Sequence, residues 1–201
     1  MTTNPQYPTK YRHMRKSALT PELVADKTLI MFMSDDNWQH GELADNMYHF
    51  EMLRSAKHAT VLYMDDIDVS VNNNPTNLSQ ETLDTLARDF NLASPTLVEH
   101  FMRFLQQYPN DEVIFACDAG VSRSGFGRWF LDVKNGHFDG MFRMSGRRDS
   151  TYTRRTENGR AGYIANAELV SLALPYLTDA EKQQLLELPV YRIDMTKPIQ
   201  F

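Results

Sequence analysis

Short apolar runs punctuate the first two thirds of this chain, separated by longer stretches of mixed polarity. "TLIMFMS" (28–34), "TVLYM" (60–64) and "EVIFA" (112–116) have strand length and large apolar side chains, and they predict three strands, the first of them buried. Between the first two, "ELADNMYHFEMLRSA" (42–56) sets Leu43, Met47, Phe50, Met52 and Leu53 near one helical face. "SPTLVEHFMRFLQQYP" (94–109) predicts a second helix. Ser94 suits its N-cap, Pro95 its first position, and Leu97, Phe101, Phe104 and Leu105 its apolar stripe. "SQETLDTLARDF" (79–90), with Ser79 as N-cap, predicts another after a loop at "NNNPTN" (72–77). Helices over "SRSGFGRWFLDVK", "NAELVSLALPYL" and "TDAEKQQLLEL" complete the series, and the chain from Val190 predicts an edge strand or a packed tail. Strands interleaved with helices argue for an α/β fold.

The polar segments complete the outline. Residues 1–27 are polar and dotted with proline, with basic residues at Lys10, Arg12, Arg15 and Lys16, and they read as an arm ahead of a single domain over 28–201. Residues 143–160 read as a charged loop: Arg143, Arg147, Arg148, Arg154, Arg155 and Arg160 stand against Asp149 and Glu157. Such a loop is either a solvated surface or a rim that recruits an anionic substrate, with Tyr152 available to stack on a ring.

Charge and composition narrow the partners. The net charge is −5, so no global basic field draws the chain to nucleic acid or anionic lipid. No apolar run approaches the 18 residues that cross a bilayer, and the first residues lack the apolar stretch of a signal peptide, so a cytoplasmic protein is expected. One cysteine excludes an internal disulfide and leaves any thiol chemistry to Cys117.

Cys117 opens the stretch with the most chemistry in it, "CDAGVSRSG", set between the third predicted strand and a predicted helix. A loop there turns backbone N–H groups toward a common centre, and the helix dipole adds to the attraction for an anion. The amides of Asp118, Ala119, Gly120, Val121 and Ser122 are the candidates to bind a phosphate, with the Arg123 guanidinium forking to its oxygens. The same field would favour the thiolate of Cys117. Gly120 lets the loop curl, and Ser124 can donate a hydrogen bond to the sulfur. The Asp118 side chain is expected to point away from the anion, solvated or paired with an arginine.

Cysteine, five residues, arginine and then serine closely resembles the signature loop of the protein tyrosine phosphatase superfamily, most of all the small dual-specificity-like members of bacteria and phages. The resemblance implies a mixed sheet flanked by helices, with Cys117 as nucleophile, Arg123 as phosphate clamp and Ser124 as stabiliser of the leaving sulfur. It implies hydrolysis of phosphomonoesters, phosphotyrosine foremost, on a phosphorylated protein or a small substrate, without a metal or cofactor. Ala116 stands where that family usually has histidine. The family's proton donor is an aspartate on a loop after an earlier strand. Here Asp66 is the first choice, followed by Asp65 and Asp68, in the acidic segment that follows "TVLYM".

Two other readings use the same residues. One is a phosphatase-like module that binds phosphorylated partners without turnover, which Ala116 favours. The other is a rhodanese- or arsenate-reductase-like thiol enzyme, though the reductases usually need further cysteines. A calcium loop from Asp66 fails, with Val71 at the glycine position and Asn77 at the glutamate position. "GFGRWF" fails as a dinucleotide fingerprint because Phe130 replaces its third glycine.

Overall fold

The computed structural model describes residues 7–34, 43–65, 93–145, 151–155 and 161–192. The expected loop at 72–77 and helix at 79–90 lie outside these residues. Strands β1 (Lys10–Arg15), β2 (Thr28–Met33), β3 (His58–Tyr63) and β4 (Glu112–Cys117) form a sheet in the order β1-β4-β2-β3, with every pairing parallel. The two inner strands are buried on both faces. Ile30 and Phe32 of β2 join Val113, Phe115 and Cys117 of β4 in one layer, while Leu29, Met31 and Met33 join Ile114 and Ala116 in the other. Two-residue alternation inside a continuously apolar run is what a doubly covered parallel strand requires.

Helices α1 (Pro21–Val24) and α2 (Leu43–Ser55) cover one face. Helices α3 (Pro95–Gln107) and α4 (Arg123–Lys134) cover the other, with α5 (Ala167–Ala173) packed against both and Leu185 of α6 (Asp179–Glu187) in the same core. The start of α3 follows the sequence pattern: Ser94 Oγ accepts from Leu97 N at 3.2 Å and Pro95 opens the helix. In α2 the predicted stripe is corrected. Met47 and Phe50 are 62% and 46% exposed, whereas Met52 is buried with Tyr48 and Leu53 beside it. Large apolar side chains surround this helix, so periodicity alone does not choose the inward face. Among the described residues no helix is long and apolar enough to cross a membrane.

Three further expectations are revised. The main sheet is purely parallel; mixed pairing occurs instead in a second sheet of β5 (Met141–Ser145), β6 (Thr151–Arg155), β7 (Ala161–Ile164) and β8 (Val190–Arg192), ordered β7-β6-β5-β8. Residues 143–160 are therefore not one continuous loop, because charge density concealed two β-forming runs. Residues 10–15, expected in an arm, pair in register with β4 as an edge strand, from Lys10 against Glu112 to Arg15 against Cys117. Charged side chains suit a solvent-facing edge, and Arg12 meets Glu112 at 2.8 Å.

A buried carboxylate ties β1 to α4 and the second sheet. Asp132 of α4 accepts from Tyr11 Oη at 2.7 Å and Tyr163 Oη at 3.0 Å and pairs with Arg154 Nε at 3.1 Å. Beside it, His13 Nε2 donates to Gly162 O at 2.8 Å, leaving Nδ1 to face Arg128 Nη1 at 3.5 Å. Burial and then the Arg128 cation push the His13 pKa down from 6.5 to about 4. The folded protein thus favours neutral His13, and its contribution is complete above the unfolded value and declines as pH falls from 6.5 through 4. Denaturant melts across that range should lose up to roughly 3 kcal/mol from this group, and His13→Gln should flatten that part of the profile; an identical slope in the variant refutes the assignment.

The close contact of α4 with β4 yields a second expectation. A Cβ on Gly127 would lie 2.5 Å from the fully buried Phe115 ring, which packs 5.9 Å from Phe101. Gly127→Ala therefore destabilises by about 1–2 kcal/mol, although helix propensity alone predicts a gain of about 1 kcal/mol. The sign of the change in urea midpoint decides between them.

Candidate active site

Cys117 is the last residue of β4, at the carboxyl edge of the parallel sheet, where open α/β folds hold their ligands. From there residues 118–122 turn into α4, which begins at Arg123. Gly120 makes the turn possible. Its φ is +69°, and an added Cβ would stand 2.5 Å from Arg15 N and 2.7 Å from Met14 C, both backbone atoms of β1. The loop therefore rests directly on the edge strand. Its far end is fastened to α5: Ser122 O accepts from Asn166 N at 3.3 Å, and Asn166 Nδ2 donates to Ser122 Oγ at 3.3 Å. Asn166 also caps α5, its Oδ1 accepting from Leu169 N at 3.1 Å.

Within this frame the three principal sequence candidates meet. Cys117 Sγ lies 3.1 Å from Ser124 Oγ, and both side chains are buried. Arg123, 4% exposed, donates from Nη1 to Met64 O at 3.0 Å and from Nη2 to Asp118 Oδ2 at 2.6 Å. The other oxygen, Asp118 Oδ1, lies 2.5 Å from Lys16 Nζ. Burial alone would raise the Asp118 pKa; the Lys16 ammonium and Arg123 guanidinium outweigh it and hold the carboxyl below its ordinary range. Of the readings open for Asp118, the structure selects pairing with an arginine, and adds a lysine. The site thus presents a buried thiol with a hydroxyl beside it, and a guanidinium held at a helix start.

Other candidates fall elsewhere. Ala116 faces the opposite layer, in the apolar cluster with Leu19, Leu29 and Met31. Asp66 and Asp68 lie outside the described residues, as do Arg147, Arg148, Asp149, Glu157 and Arg160. Asp65 is half-buried and directly follows Met64, whose carbonyl accepts from Arg123. Tyr152 is buried and stacks on Trp129 at 5.4 Å, which removes it as a platform for a ligand ring. Arg154 is turned to Asp132 rather than to the cysteine loop. Sequence reasoning missed Lys16 and Asn166 as partners of the loop. Asn166 carries a cap signature, but nothing in the chain marks the contact of either residue with a loop far away in sequence. Among the described residues no group of three or more His, Cys, Asp or Glu side chains is placed to hold a metal ion.

No family model, curated protein or solved structure matches the chain.

The contact of Gly120 with β1 is open to test. Gly120→Ala must push the loop off the strand as well as hold a left-handed backbone, a loss of about 2 kcal/mol, or roughly 4–8 °C in Tm. A melting point within about 1 °C of the parent would show that the loop does not bear on β1.

Proposed function

We propose that this protein is a cysteine-dependent phosphatase, resembling the protein tyrosine phosphatases, that hydrolyses phosphomonoesters through a cysteinyl-phosphate intermediate. The observation that carries this reading is the 3.1 Å contact of Cys117 Sγ with Ser124 Oγ, in a strand-to-helix loop that sets buried Arg123 in the first turn. In the first step the Cys117 thiolate attacks phosphorus and the bond to the ester oxygen breaks. That oxygen leaves with a proton from an aspartate, Asp66 in this proposal. Loop amides and Arg123 stabilise the equatorial oxygens, so positioning and electrostatics supply most of the acceleration. In the second step a water, deprotonated by the same aspartate, attacks phosphorus. The sulfur–phosphorus bond breaks, orthophosphate departs, and Ser124 donates a hydrogen bond to the returning thiolate.

Ala116 supports a second reading, a module that captures phosphorylated partners without turnover. Its methyl group, in the apolar layer on the opposite face of the sheet, stands at the position before the cysteine. Hydrolysis of para-nitrophenyl phosphate separates the two. The proposal expects turnover that falls at least about a thousandfold in Cys117→Ser, with Ser124→Ala giving a burst followed by slowed release. Turnover that survives Cys117→Ser overturns it, and phosphopeptide binding without any turnover establishes the module.

A further inference from the structure

A phosphate clamp works only if its guanidinium plane is set before the substrate arrives. Arg123 is held at both terminal nitrogens, Nη1 on Met64 O at 3.0 Å and Nη2 on Asp118 Oδ2 at 2.6 Å. Met64 O is main chain and fixed by the end of β3. Asp118 is a loop side chain, 37% exposed, and its other oxygen is held by Lys16 at 2.5 Å. Lys16 is itself 6% exposed in its side chain and directly follows β1, whose register with β4 sets Arg15 opposite Cys117. Two buried cations this close repel one another, and the carboxylate between them turns repulsion into attraction.

We propose that Asp118 is a positioning residue for Arg123 and that Lys16 positions Asp118, so that the turn following the edge strand forms part of the phosphate site. This rests on the phosphatase reading above. In this role neither side chain touches the substrate; each acts through the guanidinium. The two cations and one carboxylate sum to a charge of +1. Removing the carboxylate charge leaves an incoming phosphate dianion facing +2 with a loosened clamp. Removing the lysine charge leaves it facing zero, with Asp118 Oδ1 released from Lys16. The two changes should slow chemistry alike and move affinity in opposite directions, which a general loss of structure does not do.

The experiment measures kcat and KM for para-nitrophenyl phosphate, and the dissociation constant of tungstate by calorimetry, on the full chain and on Asp118→Asn, Lys16→Met, the double variant and Lys16→Arg. Circular dichroism and melting confirm that each is folded. Asp118→Asn should lower kcat about tenfold while KM and the tungstate constant fall. Lys16→Met should lower kcat by a similar factor while both constants rise. Lys16→Arg should recover most of kcat. The double variant should be no slower than Asp118→Asn, because Lys16 acts through that carboxylate. A wild type that hydrolyses, with both single variants within about twofold of it or with affinities moving in the same direction, overturns the positioning role alone. A wild type that binds tungstate without hydrolysis overturns the phosphatase reading, and the opposed shifts in tungstate affinity then decide the positioning role. A wild type that does neither overturns both.

Discussion

A cation taken out of water needs a counter-charge, and the neighbourhood of Cys117 withdraws two. Lys16 and Arg123 are 5% and 4% exposed, and both turn to the carboxylate of Asp118. Neither would stay buried alone, since an unpaired interior charge is among the most unfavourable features a fold can carry. The sharing ties the turn that follows β1 to the loop after β4 and the first turn of α4. Through Arg123 and the Met64 carbonyl it reaches the end of β3 as well.

Steric constraint acts at the same place. β4 is flanked by β1 and β2 and covered on both faces, so its direction is set before the chain reaches Cys117. The following loop has no room for a side chain at Gly120, where the β1 backbone fills the space. Close packing without free volume transmits position well. An edge strand whose own sequence carries no chemistry thereby becomes the wall against which the cysteine loop is set. Asn166 restrains the other end by joining α5 to Ser122. The Asp132 cluster anchors β1 a second time, through Tyr11, at the far end of α4.

Much of the central layer was legible in the chain. The runs at 28–34, 60–64 and 112–116 became β2, β3 and β4 because unbroken apolar character over strand length has few other solutions. The cap at Ser94 was legible for a similar reason, since one side chain answers one local need. Errors arose where polar side chains decorate buried backbone. β1 is charged along its exposed edge and read as an arm; Tyr152 and Thr153 are buried in a stretch whose arginines suggested solvent. Tyr152 turns inward to Trp129, a choice that only the neighbouring helix makes.

The sequence by itself determined the α/β class and the local succession of strand, cysteine loop and helix. Both follow from side-chain size, polarity and spacing within a few residues. Only the tertiary structure decided that Asp118 faces Arg123 and Lys16, that β1 lies against Gly120, and that Met64 and Asn166 reach the loop. Apart from Asp118 with Arg123, five positions away, those contacts join residues dozens to a hundred positions apart. They depend on strand order and register, which arise when all the layers compete for the same core, and no local pattern along the chain carries that information.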